Sequence, residues 1–280
     1  ERAACHLRRP MAYALTASVS TEAPPEPGSL TVTAEDGFQG AVEVIVDASG
    51  SMQNRIGQKT RIAIARDVLR TLVTDTLPAG TPFALRAFGH RESRSCRTDL
   101  EIPLGPLDPA RASEVTDTLQ AKDLARTPLG ASLQAVREDL SSHHGPVMVV
   151  LLTDGKETCG GDPGDTIALM KEEGLDVRVN IVGFAIDDAA LASNFAQWAT
   201  LGGGLYLPAD SEDELASAMI RAVQPRFQVL DAVGDVVVEG TVGGETVPLE
   251  AGSYSVRVQT SPVQRFDIEV EEGEAERIAL

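Results

Sequence analysis

The sequence has few aromatic residues and no long apolar run. Aromatic residues make up 4% of the 280 positions and Trp198 is the single tryptophan, so a core has to be built from aliphatic side chains. No stretch approaches the roughly 20 consecutive apolar residues of a membrane-spanning helix, and we expect no direct membrane insertion of this chain. With 42% hydrophobic and 24% charged residues, the composition is otherwise globular and excludes a mainly disordered chain.

Basic residues are also scarce. The 24 Lys and Arg residues are outnumbered by 42 Asp and Glu residues, which gives a net charge of −18 at pH 7. A chain of this charge repels nucleic acid, so we expect no nucleic-acid partner. Cysteine is limited to Cys5, Cys96 and Cys159, and neither a Cys-x-x-Cys nor a Cys/His metal-ligand spacing is present, which disfavours a zinc site.

Short apolar strands alternate with amphipathic helices between residues 41 and 223. The predicted strands span 41–46, 82–88, 98–104, 147–153, 176–184 and 204–207, and the predicted helices span 60–77, 108–120, 128–140, 163–173, 188–200 and 211–223. This alternation predicts an α/β fold, a three-layer, doubly wound, mostly parallel sheet, with 98–104 at an edge because Pro103 lacks a backbone donor. In such sheets ligands bind beyond the carboxyl ends of the strands.

The pattern changes on both sides of this region. Beyond residue 224, short alternating runs separated by glycines predict a small β-sandwich over 225–280. Before it, residues 1–39 form an N-terminal segment with candidate strands at 11–20 and 30–34 and a Pro-rich linker at 21–29. We therefore divide the chain into 1–39, 40–224 and 225–280.

Hydroxyl and carboxylate side chains gather at the predicted carboxyl edge of the sheet. DASGSM at 47–52 follows the first strand, TPLG at 127–130 precedes a helix, and TDG at 153–155 follows the strand VMVVLL. Together they offer two carboxylates and three hydroxyls, an all-oxygen set that suits hard cations such as Mg²⁺, Mn²⁺ or Ca²⁺ rather than zinc or copper.

These three segments resemble the metal-ion-dependent adhesion site (MIDAS) of von Willebrand factor type A domains, over roughly residues 40–224. The family pattern is Asp-x-Ser-x-Ser, then a Thr and an Asp, and it matches Asp47, Ser49, Ser51, Thr127 and Asp154. The resemblance implies that the serines bind the metal directly, that the other residues bind it directly or through water, and that a partner's carboxylate completes the shell. A shorter stretch, 249–258, resembles transthyretin-like and carboxypeptidase-regulatory-like modules.

The resemblance therefore implies a non-enzymatic module for metal-dependent protein binding, with Mg²⁺ as cofactor and Mn²⁺ or Ca²⁺ as alternatives. Its partner would be a protein that presents a carboxylate.

Four arginines in an otherwise acidic chain are candidates for a cationic rim that steers this partner: Arg91, Arg94, Arg97 and Arg126. The simpler interpretation is that they lie in solvated loops.

We predict a disulfide between Cys96 and Cys159. In the strand order expected for this fold, the strands that precede them are separated by one strand, roughly 10 Å, a gap that their loops can close. Such a bond indicates an extracytoplasmic protein, whether periplasmic, secreted or surface-anchored.

Three other functions remain open. The chain could be a non-catalytic subunit of a chelatase-type machine driven by an AAA+ ATPase. Asp47 could accept a phosphoryl group, although such enzymes usually carry a second Asp where this chain has Ser49. A hydrolase would need Ser49 or Ser51 as nucleophile with His90 as base, without a G-x-S-x-G elbow.

Overall fold

The computed structural model describes residues 26–33, 40–259 and 263–280. Its strands, numbered in chain order, are β1 (Gly28–Thr33), β2 (Ala41–Asp47), β3 (Arg55–Ile56), β4 (Lys59–Thr60), β5 (Pro82–Phe88), β6 (Thr98–Pro106), β7 (Val147–Thr153), β8 (Val177–Phe184), β9 (Tyr206–Ala209), β10 (Arg226–Leu230), β11 (Val236–Thr241), β12 (Val247–Leu249), β13 (Gly252–Val258), β14 (Gln264–Val270) and β15 (Ala275–Ala279). Its α-helices are α1 (Arg61–Thr71), α2 (Pro109–Thr118), α3 (Leu129–Asp139), α4 (Pro163–Glu172), α5 (Ala189–Leu201) and α6 (Glu212–Val223). The strand predicted over 11–20 and Cys5 lie outside the described residues.

Six strands form the central sheet in the order β6-β5-β2-β7-β8-β9. The strands β5, β2, β7, β8 and β9 run parallel to one another, and β6 pairs antiparallel with β5 at one edge. This confirms the mostly parallel α/β sheet and the edge position of the strand that contains Pro103. It also places β2 between β5 and β7, as the disulfide prediction required.

Helices cover both faces of this sheet because its inner strands are apolar on both sides. In β2, Val42, Val44 and Val46 face one core with α1, α2 and α6, while Ala41 and Ile45 face a second core with α3, α4 and α5. Continuous apolar strands of this kind are typical of a parallel sheet buried on both faces. In the described ranges, no helix is long and apolar enough to cross a membrane.

The first helix is shorter than the predicted 60–77. It begins after Thr60, whose hydroxyl accepts from the backbone NH of Ala63, and it gives way at Leu72 to a single wider turn that ends at Thr76. There the backbone NH of Leu77 donates to the carbonyl of Leu72, five residues back, at 2.9 Å. Pro78 disfavours a helical conformation at Leu77, which is extended, and this explains why the helical segment ends at Thr76.

The remaining strands build a small β-unit from two sheets, one ordered β11-β10-β13-β14 and one ordered β12-β1-β15. Side chains from both sheets share one core, with Leu30 and Val32 of β1 packed among Phe227, Val256 and Ile278. The strand that the sequence places in an N-terminal segment thus pairs with β12 and β15 of the C-terminal region.

One carboxyl side chain is buried inside the second core of the central domain. Glu43 of β2 has no exposed surface, and its Oε1 lies 3.7 Å from Nε of Arg86 on β5. Arg86 already forms a bidentate ion pair with Asp139 of α3, donating two hydrogen bonds of 2.7 Å to its carboxylate. Burial, together with the nearby Asp139, raises the pKa of Glu43 well above its usual value.

We expect Glu43→Gln to stabilise the protein, and more so at high pH. A raised folded-state pKa means that the contribution of this carboxyl is fully present below its unfolded pKa and is lost as the pH rises through the folded value. The neutral amide avoids that loss, so the free energy of unfolding should increase by about 1–2 kcal/mol at pH 8 and by less at pH 5. Urea unfolding at both pH values measures the difference. The exposed neighbour Glu138→Gln is the control, and an equal gain at both pH values would contradict the assignment.

Candidate metal site

Two carboxylates meet at the carboxyl edge of the central sheet. Asp47 is the last residue of β2, and Asp154 directly follows β7, its parallel neighbour. Both side chains are fully buried. The pairing of Val46 with Leu152 brings the two strand ends side by side, so the acidic residues predicted from two distant segments lie together.

Asp47 is held by hydrogen bonds to both of its oxygens. The backbone NH of Ser49 donates to Oδ1 at 2.7 Å, and the hydroxyl of Thr153 donates to Oδ2 at 2.6 Å. Burial and the charge of Asp154 nevertheless raise the pKa of Asp47 from 3.8 to about 7. Two acidic groups this close in a dry environment repel each other, and a cation between them relieves that repulsion.

The two serines link the DASGSM loop to Asp154. The hydroxyl of Ser51 donates to Oδ1 of Asp154 at 2.5 Å, and the hydroxyls of Ser49 and Ser51 lie 3.1 Å apart. Because the single proton of Ser51 is directed to Asp154, Ser49 must donate to Ser51. Lone pairs remain on both serine oxygens, which leaves them able to bind a cation.

Arg61 contacts the same carboxylate from its other side. Its Nη1 lies 2.9 Å from Oδ2 of Asp154, and its side chain is only 15% exposed. The β3–β4 hairpin brings the chain back to this position, since the backbone NH of Arg61 donates to the carbonyl of Asn54 at 2.8 Å. The sequence analysis did not identify Arg61, because nothing in the motif spacing shows where the first residue of α1 points.

The loop that carries Thr127 is hydrogen-bonded to two neighbouring loops of the site. The backbone NH of Thr127 donates to the hydroxyl of Thr158 at 2.7 Å, and its carbonyl accepts from the NH of Thr158 at 3.0 Å. Two residues earlier, the carbonyl of Ala125 accepts from the NH of Gly50 at 3.2 Å. The buried Thr127 is thereby attached both to the DASGSM loop and to the loop that follows Asp154.

Glu157 is a second residue that the sequence analysis missed. Its carboxylate accepts from the backbone NH of Gly130 at 2.9 Å and from that of Cys159 at 2.5 Å. Helix α3 begins after Pro128, which offers no capping side chain, so Glu157 satisfies one of the free NH groups of the first turn from a distant loop. This fixes the start of α3 next to Thr127.

A glycine permits the close approach of the loop after β5. Gly89 has φ of 78°, and a Cβ atom there would lie 2.6 Å from the backbone nitrogen of Ser49. Any side chain would therefore push the DASGSM loop away. The carbonyl of Gly89 also accepts from the NH of Lys122 at 3.2 Å, which joins a third loop to the cluster.

Cys96 and Cys159 form a disulfide with a Cα–Cα distance of 5.8 Å, which confirms the predicted pair. The bond joins the loop between β5 and β6 to the loop after β7. Together with Gly89 and Glu157, it ties each loop of the site to a neighbour.

The four candidate rim arginines differ in their surroundings. Arg91 donates to Glu101 at 2.6 Å and Arg97 to Asp99 at 2.6 Å, so acidic neighbours offset both charges. All four side chains are exposed, but within the described part of the chain no ion pair involves Arg94 or Arg126. The Nε2 atom of His90 lies 2.8 Å from Oε1 of Glu101, so the histidine considered as a hydrolase base belongs to this ion-pair network.

The donor set fits a hard divalent cation. Asp47, Ser49, Ser51 and Asp154 form a connected group of oxygen atoms with two neighbouring carboxylates, and the buried Thr127 is anchored beside their loops. No sulfur or imidazole ligand contributes among these residues, which disfavours a site built for a soft metal.

Comparison with known proteins agrees with this architecture. The sequence-family model of the von Willebrand factor type A domain matches residues 42–157. The uncharacterized protein YwmD of Bacillus subtilis (strain 168) is 34% identical over 193 residues, which cover 65% of this chain and 84% of that protein. This chain belongs to the von Willebrand factor type A domain family.

Two solved structures share the fold at low sequence identity. Proximal thread matrix protein 1 from the mussel byssus, solved with a zinc-occupied MIDAS motif, is 21% identical with a TM-score of 0.54, over 68% of this chain and 48% of that one. The von Willebrand factor domain of the type V pili tip protein Mfa5 from Porphyromonas gingivalis is 13% identical with a TM-score of 0.51, over 65% of this chain and 93% of that one.

We expect loss of the disulfide to destabilise this domain substantially. The two cysteines are 63 residues apart, and the chain-entropy model gives about 4 kcal/mol for closing a loop of that length. Urea unfolding of Cys96→Ser/Cys159→Ser against the oxidised wild type measures the loss. Peptide mapping without reductant should recover the two cysteines linked, and finding both thiols open to alkylation in folded protein from its native source would contradict the bond.

Proposed function

We propose that this chain is a protein-binding module of the MIDAS type that uses a divalent cation, with Mg²⁺ as the first candidate, to capture an acidic group of a partner. Asp47, Ser49, Ser51, Thr127 and Asp154 would hold the cation. The observation that carries the proposal is the hydrogen-bonded series Ser49–Ser51–Asp154 beside Asp47, at the sheet edge where ligands of α/β folds bind. When bound, the cation supplies an electrophilic centre that attracts a carboxylate oxygen.

Binding rather than catalysis is the function that the surroundings favour. A hydrolase would need a base directed at a serine hydroxyl, but Ser51 donates to Asp154, and His90 contacts Glu101. A phosphoryl-accepting role for Asp47 is disfavoured by its burial and by the two donors that engage its oxygens. We therefore propose a non-enzymatic role.

The disulfide supports a location outside the cytoplasm. Reducing compartments do not maintain bonds of this kind, whereas the periplasm and the extracellular space do. The same bond disfavours the alternative of a subunit for an AAA+ ATPase or chelatase-type machine, which works in a reducing compartment. The relatives include a pilus tip protein and a byssus matrix protein, and this is consistent with a partner found at a surface or in a matrix.

Affinity capture from the native source, with and without a chelator, tests the proposed function. The expected result is a partner protein that is retained in Mg²⁺ and released by EDTA. Equal retention in both conditions would contradict metal-dependent binding, and recovery of an AAA+ ATPase would favour the alternative.

We expect Asp47→Ala to abolish binding of Mg²⁺ and Mn²⁺ while the domain stays folded. One remaining carboxylate carries too little negative charge to hold a hard dication, and removing a buried acid of raised pKa relieves repulsion in the core. Isothermal titration calorimetry measures the affinity, and Asp47→Asn repeats the test with the shape preserved. Asp123→Ala, at an exposed position in the loop before Thr127, is the control. Unchanged affinity in the Asp47 variants would refute the ligand assignment.

The exposed Arg94 and Arg126 are the best candidates to steer an acidic partner. Reversing both charges should slow association with the captured partner at low salt and have little effect at high salt, because exposed charges act on encounter and are screened. Stopped-flow or surface-based kinetics at two salt concentrations measure this. An effect confined to the dissociation rate would contradict steering.

A further inference from the structure

Arg61 is a cation built into the candidate metal site. Its guanidinium lies 2.9 Å from Oδ2 of Asp154, whose other oxygen accepts from Ser51. The contact is largely shielded from water, since the Asp154 side chain is fully buried and the Arg61 side chain is 15% exposed. Charges paired in such surroundings interact more strongly than at the surface, and salt screens them less.

The hairpin before α1 fixes this position. Arg55 pairs with Thr60 across β3 and β4, and the NH of Arg61 is bonded to the carbonyl of Asn54. Arg61 is therefore the first residue of α1 and its backbone position is fixed, so that only the side-chain conformation determines its contact with Asp154. One oxygen of Asp154 faces the serines and the other faces Arg61, so this guanidinium does not need to leave for the serine side to bind a metal.

We propose that Arg61 weakens the intrinsic affinity of the site for a divalent cation and thereby couples metal binding to capture of an anionic ligand. This inference rests on the proposed function. Two carboxylates alone would neutralise a dication, but with the guanidinium of Arg61 the loaded cluster keeps one positive charge. An anion such as a partner carboxylate neutralises that charge, so metal and anion each strengthen the binding of the other.

The test is the metal affinity of Arg61→Gln, measured by isothermal titration with Mn²⁺ and Mg²⁺ in chloride buffer. Removing a positive charge next to the dication should tighten metal binding about tenfold or more. Arg61→Lys keeps the charge and should stay close to the wild type. Arg66→Gln, further along α1 and hydrogen-bonded to the carbonyl of Asp117, removes the same charge away from the site and should change the affinity less than about twofold.

Thermal unfolding separates this role from a merely structural ion pair. In EDTA, Arg61→Gln should melt below the wild type because Asp154 loses its buried partner. Added Mg²⁺ should raise its melting temperature by more than that of the wild type, because tighter binding stabilises the folded state more. A variant that is destabilised equally with and without Mg²⁺, and whose metal affinity is unchanged, would overturn the inference.

The coupling to an anion has its own measurement. Replacing chloride by acetate at equal ionic strength should tighten Mn²⁺ binding in the wild type and have a smaller effect in Arg61→Gln. Equal effects in the two proteins would show that Arg61 does not couple metal to anion.

The outcomes distinguish the two proposals. If neither the wild type nor Arg61→Gln binds Mn²⁺ or Mg²⁺, the proposed function fails and this inference fails with it. If both bind with the same affinity, the proposed function survives and the role of Arg61 is refuted. The inference is supported if Arg61→Gln binds the metal more tightly than the wild type while the affinity of Arg61→Lys stays close to that of the wild type.

Discussion

The burial of Asp47 and Asp154 side by side is the constraint on which the rest of the site depends. Parallel neighbours β2 and β7 end at the same edge, so an acidic residue at the end of each strand brings two negative charges together away from water. Such a pair is costly unless donors or cations approach it. The NH of Ser49 and the hydroxyls of Ser51 and Thr153 do so, and Arg61 adds a positive charge.

The surrounding loops hold these donors in place by contacts between distant segments. Gly89 lets the loop after β5 lie against Ser49, Glu157 supplies the missing cap of α3, and the disulfide joins the loops of Cys96 and Cys159. Each connection links segments that are far apart in sequence. A binding site built this way gains positional accuracy from the rigid sheet edge and from loops that restrain one another.

The sequence predicts the sheet and the acidic edge because those features depend on local patterns. Apolar runs such as VMVVLL define buried strands, and strand-end motifs define which side chains converge. Arg61 and Glu157 escape this reasoning because their roles depend on where a side chain points after a hairpin or a loop has folded. The placement of β1 beside β15 escapes it for a related reason, since an alternating run does not reveal its partner strand. In the sequence, Glu43 interrupts the apolar run of β2. Its burial is understood only from the folded structure, where it lies next to Arg86, which is bound to Asp139.

Topology also separates the candidate metal site from the small β-unit. In a parallel α/β sheet the helices run back toward the amino ends of the strands, so α6 ends at the edge opposite Asp47 and Asp154. The small β-unit continues from α6, and its strand β1 precedes β2 at that same amino edge. A hydrogen bond between Arg178, near the start of β8, and Gln259 of the β-unit lies on this side. Because β1 pairs with β12 and β15, the β-unit gathers the segments that enter and leave the central domain, and the loops that carry the serines and aspartates face away from it.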